Sequence, residues 1–282
     1  SKVLFLTFYF LLFTFPLYVL ASWRLGVKIL LTQFMKNLRA AVRFISFFVM
    51  TFGIYGAWWV GALFIPNQQY WRQIIFRTWA RWFARISNMK IEVIGTPPHS
   101  PFFLVCNHLS YTDIPAIRAV VEGIYVAKGE IAGWFAAGKI VREMGNIYIN
   151  RNSKRDIPRA NLDVLNALER GEGVIIFPEG TSTKGEEVLP FKSSFLEFAA
   201  TTGLPVHYAS ISYRTPMNEP PPSYSICWWD ETTFIEHLWR FFQLSQVTAL
   251  ITFGEEPVKN DNRKELAKEL WEAVREKFIP VL

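Results

Sequence analysis

Apolar residues dominate the first third of the chain, after which short apolar blocks alternate with polar stretches. Val3 to Ala21 is nearly unbroken in its apolar character and long enough to cross a bilayer. Arg24 to Arg43 reads as a basic amphipathic connector, and Phe44 to Pro66 is a second run of spanning length with Trp58 and Trp59 near one end as interface anchors. Positive charge flanks the second run on both sides, whereas cytoplasmic segments normally hold the lysines and arginines. The pattern therefore predicts two hydrophobic helices of which at least one is not a full span; two full spans with the connector outside is the other arrangement. Asn67 to Lys90 follows a helical period, with Trp71, Ile75, Trp79, Trp82 and Ile86 on one face and Arg77, Arg81 and Arg85 in an i, i+4 row. That is the pattern of a helix in a lipid headgroup layer, or of one packed on a neighbouring domain.

From Ile91 the period switches. Strands are expected at Lys90–Ile94, Phe102–Cys106, Ile124–Ala127, Asn146–Ile149, Val174–Phe177, Val206–Ser212, Tyr224–Trp228 and Val247–Phe253. Helices are expected at Ile114–Glu122, Ile131–Glu143, Pro158–Arg170, Phe191–Thr201, Thr233–Phe242 and Arg263–Phe278. This alternation predicts an α/β fold, a mixed and mostly parallel central sheet flanked by helices. Residues 1–90 form a membrane-anchoring region and 91–282 the α/β domain.

Charge sharpens the division. Residues 1–91 carry 11 of the 30 basic residues and none of the 24 acidic ones, so the remainder is mildly acidic. A cationic, greasy N-terminus on an acidic domain points to an anionic membrane surface and away from nucleic acid. Cys106 and Cys227 fall in apolar blocks, which argues against a disulfide scaffold, and the four histidines have no metal-ligand spacing, so no metal is expected.

Candidate chemistry centres on Phe102-Phe103-Leu104-Val105-Cys106-Asn107-His108-Leu109-Ser110-Tyr111-Thr112-Asp113. A buried strand ends in Asn-His at the edge where open α/β sheets place their sites. Five residues apart, His108 and Asp113 do not share a helical face, so they meet only if the chain turns between them. Asp113 would then fix the histidine tautomer and leave its other nitrogen to take a proton. A capping histidine beside an N-cap aspartate is the bland alternative. Cys106, inside the strand, reads as a buried thiol.

Asn107-His108 with Asp113, Gly145-Asn146-Ile147-Tyr148-Ile149-Asn150-Arg151, Phe177-Pro178-Glu179-Gly180-Thr181 and Leu204-Pro205-Val206 resemble, in order and spacing, four motifs of the glycerolipid acyltransferase family. The likeness runs from about Ile91 to Gly254. It implies transfer of a fatty acyl group from acyl-CoA or acyl-carrier protein, as co-substrate and with no other cofactor, to the free hydroxyl of 1-acyl-glycerol-3-phosphate in the membrane. His108 and Asp113 take the catalytic roles. The resemblance places Asn107, Arg151, Glu179, Gly180, Thr181 and Lys192 at the substrate, with Arg151 on the acceptor phosphate. A surface lysine is the plainer reading of Lys192, and a solvated cluster that of Lys154 and Arg155. The family often has arginine after the threonine; here Ser182 stands instead, which keeps other lysolipids and glycerol phosphate open as acceptors. A non-catalytic lipid-binding protein is the alternative of another class. A cytosolic donor puts the catalytic domain on the cytoplasmic side.

Overall fold

The computed structural model describes residues 2–134, 137–149 and 156–281, with side chains from residue 26 onward apart from those of 137 and 157. The elements in chain order are α1 (Lys2–Ala62), α2 (Gln68–Ser87), β1 (Met89–Ile94), β2 (Phe103–Cys106), α3 (Asp113–Arg118), β3 (Ile124–Lys128), α4 (Ala137–Glu143), β4 (Ile147–Ile149), α5 (Asp156–Glu169), β5 (Val174–Ile176), α6 (Glu197–Thr202), β6 (Val206–Arg214), α7 (Pro222–Ser225), α8 (Phe234–Phe242), β7 (Val247–Phe253) and α9 (Arg263–Lys277). A short 3-10 turn at Gly129–Gly133 overlaps the start of the helix expected at Ile131–Glu143, and another at Ser193–Phe195 lies within that expected at Phe191–Thr201.

The strands make one sheet in the order β1-β7-β6-β2-β5-β3-β4. Five strands from β6 to β4 are parallel; β7 runs antiparallel to β6, and β1 runs parallel to β7. The mixed, mostly parallel sheet expected from the alternation is therefore present. β2 lies at its centre, and Phe103, Leu104, Val105 and Cys106 are all buried, which is why that block is apolar without alternation. No strand forms at the predicted Tyr224–Trp228. Pro221 and Pro222 start the short helix α7 instead, proline being favoured in a first helical turn.

The two apolar runs, expected as separate helices around a connector, are continuous in the single helix α1, which ends at Ala62, short of the expected Pro66. Its Gly26–Ala62 portion is long and apolar enough to cross a membrane by length and composition. Leu31, Leu38, Val42, Ile45, Val49, Phe52 and Trp59 are exposed along it, which makes this helix a candidate membrane anchor. Three basic residues of the expected connector, Lys36, Arg39 and Arg43, are turned toward the domain. Arg43 donates to the carbonyls of Leu244 (2.5 Å), Phe242 and Ser245, and Arg39 to that of Gln243 (2.9 Å), at the C-terminal end of α8, where a helix favours cations. Lys36 and Arg39 both pair with Glu219.

Between α1 and the sheet lies α2, which buries Ile75, Phe76, Ala80, Phe83 and Ala84. The face expected from periodicity splits. Trp71, Trp79 and Ile86 pack toward the core, but Trp82 is exposed with Tyr70 and Ile74, and Arg85 stacks on it at 5.2 Å. Arg77 pairs with Glu122 (2.6 Å), and Arg72 with the buried Glu172, so part of the arginine row serves the domain and not headgroups. Arg118 of α3 is wholly buried and donates to Gln73 and to the Val121 carbonyl (2.8 Å), tying α2 to the element that opens with Asp113.

Candidate active site

The site forms where β2 ends between its parallel neighbours β5 and β6. Paired register along β2 and β6 runs to Cys106 and Ala209, and Asn107 continues it with its side chain. The Asn107 amide accepts from the Ile211 N–H (2.8 Å) and donates to the Ile211 carbonyl (2.9 Å), as a backbone peptide would. Both ends of this fully buried amide are thus spent on the sheet, and the next residue, His108, leaves the strand at a fixed point.

His108 is held through its own peptide as well. Its N–H donates to Glu179 Oε1 (2.6 Å) and its carbonyl accepts from the Thr183 N–H (3.0 Å). The imidazole stacks on Phe177, with ring centres 4.2 Å apart and planes 13° from parallel. Nδ1 lies 2.7 Å from Asp113 Oδ2. The chain makes the turn that the spacing demands, because the same oxygen accepts from the N–H groups of Leu109 (2.7 Å) and Ser110 (3.0 Å). Its other oxygen accepts from the Tyr213 hydroxyl at 2.8 Å. Asp113 is fully buried while the His108 side chain is 21% exposed. A carboxylate facing Nδ1 requires the proton there, so Nε2 is the basic nitrogen. This arrangement can take a proton from an incoming group and stabilise the imidazolium that results.

Glu179 follows β5. It is buried, and its second oxygen accepts from the Leu189 N–H (2.8 Å). Burial pushes its carboxyl up to about 8, against the pull of those two N–H bonds. An unfolded glutamate titrates near 4.5. The folded chain therefore binds the extra proton between those values, and stability falls as pH rises from about 4.5 to about 8, then levels off. We expect this contribution to be on the order of a few kcal/mol. Thermal melts across that range should lose this slope in Glu179→Gln; an unchanged slope would assign it elsewhere.

Gly180 adopts a φ of +78°, which a side chain resists, and Lys192 lies across it: a Cβ there would stand 2.6 Å from Lys192 Nζ. Lys192 and Thr181 are exposed. Glu179, Gly180 and Lys192 thus share one loop cluster next to the His108 peptide. Arg151 lies outside the described residues, as do Asn150, Lys154 and Arg155. Ser182 turns its hydroxyl to the Trp228 carbonyl. Cys106 is buried and its thiol is pushed well up by burial, then by the Asp113 and Glu179 charges, so it stays protonated and unreactive. His237 is buried, hydrogen-bonded to the Tyr111 hydroxyl (3.0 Å) and the Cys227 carbonyl (3.1 Å), and burial holds it down to about 4. It is a neutral packing group among Tyr111, Trp228 and Phe234.

Sequence comparison decides what this geometry belongs to. The acyltransferase family model matches residues 90–212, which span β2, the histidine turn and the Glu179 loop. A lyso-ornithine lipid O-acyltransferase of Pseudomonas aeruginosa is 30% identical over 205 residues, covering 72% of this chain and 78% of that one. A 1-acyl-sn-glycerol-3-phosphate acyltransferase of Neisseria gonorrhoeae is 32% identical over 191 residues, covering 66% and 73%. The chain belongs to the glycerolipid acyltransferase family. The crystal structure of the acyltransferase PlsC from Thermotoga maritima shares the fold, with a TM-score of 0.64 at 22% identity over 86% of this chain and 95% of that one. This acyltransferase is thus an O-acyltransferase whose family segment begins where α2 hands over to the sheet.

Two neighbours of the pair had no signal in the sequence. Tyr213 sits far along the chain in an ordinary-looking strand, and only the β2–β6 pairing brings it to Asp113. Thr183, from the loop after β5, reaches His108 through a backbone N–H that any residue there would offer.

Proposed function

We propose that this acyltransferase moves a fatty acyl group from acyl-CoA or acyl-carrier protein to the free hydroxyl of 1-acyl-glycerol-3-phosphate, making phosphatidate. The observation that carries the reading is the 2.7 Å contact between His108 Nδ1 and buried Asp113. His108 Nε2 takes the hydroxyl proton as the oxygen attacks the thioester carbonyl. The tetrahedral intermediate collapses, the C–S bond breaks, and the leaving sulfur receives that proton from the imidazolium. The products are the ester and a free thiol, and no side chain is acylated. Asp113 keeps the imidazole oriented and offsets its charge in the intermediate. The membrane-facing surface of α1 presents the site to an acceptor that never leaves the bilayer, and a cytosolic donor puts the domain on the cytoplasmic face.

A phosphate-bearing acceptor is supported by the Neisseria relative and by Lys192 beside Gly180. The family resemblance adds Arg151 as a bidentate phosphate ligand. Arg151→Ala should raise KM for lysophosphatidate roughly tenfold or more with little change in kcat. An unchanged KM removes Arg151 from the pocket.

One observation favours a second acceptor. Ser182 stands where the family often has arginine, and its hydroxyl is committed to the Trp228 carbonyl, so it supplies no cation. A lyso-ornithine lipid, the substrate named for the Pseudomonas relative, has an amino-acid headgroup without phosphate and needs no phosphate ligand. Purified chain in vesicles, given labelled acyl-CoA and a panel of lysolipids in competition, separates the two. Product on lysophosphatidate alone supports the first acceptor, and product on lyso-ornithine lipid alone replaces it. Absence of product with every donor and acceptor overturns the enzymatic reading.

A further inference from the structure

We propose that Tyr213 is a positioning residue of the transfer reaction, holding the Asp113 carboxylate in the orientation that serves His108. This rests on the reading of His108 as the base. Asp113 receives four hydrogen bonds. Its Oδ2 accepts from His108 Nδ1, Leu109 N–H and Ser110 N–H, all from its own turn, and its Oδ1 accepts only from Tyr213 among the described residues. The Tyr213 oxygen in turn accepts from Thr112 Oγ1 at 3.1 Å. Thr112 and Asp113 are wholly buried and Tyr213 nearly so, so water cannot replace a lost partner.

The chain explains why a tyrosine can do this from so far away. β6 is the longest strand in the parallel part of the sheet and continues past the end of β2. Ile211 pairs with the Asn107 side chain, and two residues on, Tyr213 points to the same side of the strand. Burial and the neighbouring Asp113 charge push its phenol well up, so it keeps its proton and donates.

Two effects follow from removing the hydroxyl. The carboxylate, still held at Oδ2 by the two N–H groups of the turn, orients the imidazole less tightly, and the charge drawn toward Oδ1 returns to Oδ2, where it strengthens the hold of the imidazole on a proton. The other titratable groups around Asp113 are Cys106, Tyr125, Cys227 and Glu179. The first three are held protonated by burial, and Glu179 alone titrates near neutrality, at about 8.

Tyr213→Phe should lower kcat roughly tenfold with both KM values unchanged. It should also move the acid-side fall of kcat/KM to higher pH. Thr112→Val, which keeps the shape and removes one bond from the Tyr213 oxygen, should move it the same way by less. Measuring the Phe effect again in Glu179→Gln separates the shift from Glu179 titration. A tyrosine that only fills space would lower the melting temperature and leave the pH profile in place. An unmoved profile in both variants, with His108→Ala slowed roughly a hundredfold or more, overturns the Tyr213 inference alone. Near wild-type rates in His108→Ala overturn the base assignment on which it stands. If Tyr213→Phe does not fold, Thr112→Val decides.

Discussion

His108→Ala should lose acyl transfer by roughly 10²–10⁴-fold, the share general base catalysis usually supplies, while it still folds and binds vesicles. The loss is confined to chemistry because little else hangs on the ring. His108 is fastened through its backbone, by Glu179 Oε1 on one side and Thr183 N–H on the other, and alanine keeps both bonds. The ring covers Phe177 and pairs with Asp113, so removing it opens a small, partly exposed gap. The contacts that hold α1 to the domain are made at the end of α8 and do not involve the ring. Initial rates with labelled acyl-CoA, beside vesicle flotation, check both halves. Near wild-type rates would remove His108 from the chemistry.

Asn107→Ala should act in the opposite way, costing about 2–6 kcal/mol of stability and leaving KM for the acceptor as it was in whatever fraction stays folded. The resemblance puts Asn107 at the substrate, yet its amide is buried and saturated by Ile211. Truncation strands a buried N–H and a buried C=O between two central strands, each costing about 1–3 kcal/mol without a partner. Asn107→Asp should be no better, since its second oxygen would face the Ile211 carbonyl and bring a charge into the sheet. Denaturant unfolding of the full chain in micelles, beside lysolipid saturation curves, tells the two roles apart. Intact stability with a raised KM would return Asn107 to the pocket.

These two neighbours mark how far the sequence could be read. The His108–Asp113 pair was legible because an apolar strand that breaks into Asn-His must exit the sheet, and a five-residue spacing forces a turn if the side chains meet. The parallel sheet was legible from alternation, since buried strands and amphipathic helices write different periods. What Asn107 does was hidden, because a side chain mimicking a peptide leaves no trace in spacing. Tyr213 was hidden because its partner is set by strand order, and β6 lies beside β2 although about a hundred residues separate them. The partners of the basic stretch of α1 were hidden for a related reason. Charge composition points Arg39 and Arg43 at lipid headgroups, but the carbonyls at the end of α8 offer a nearer partner. Trp82 shows the limit of periodicity, which finds a face of a helix but not which of two neighbours covers it.

In the proposed mechanism the His108 imidazole activates the hydroxyl of a lipid without itself becoming acylated. The most direct test follows the label from a radioactive acyl thioester in a single turnover, with wild-type chain in excess over donor. Direct transfer predicts label on the lysolipid in step with free thiol, and none on the protein when the acceptor is left out. Label held covalently by the chain, on His108 or any other side chain, and released only when acceptor is added would contradict it.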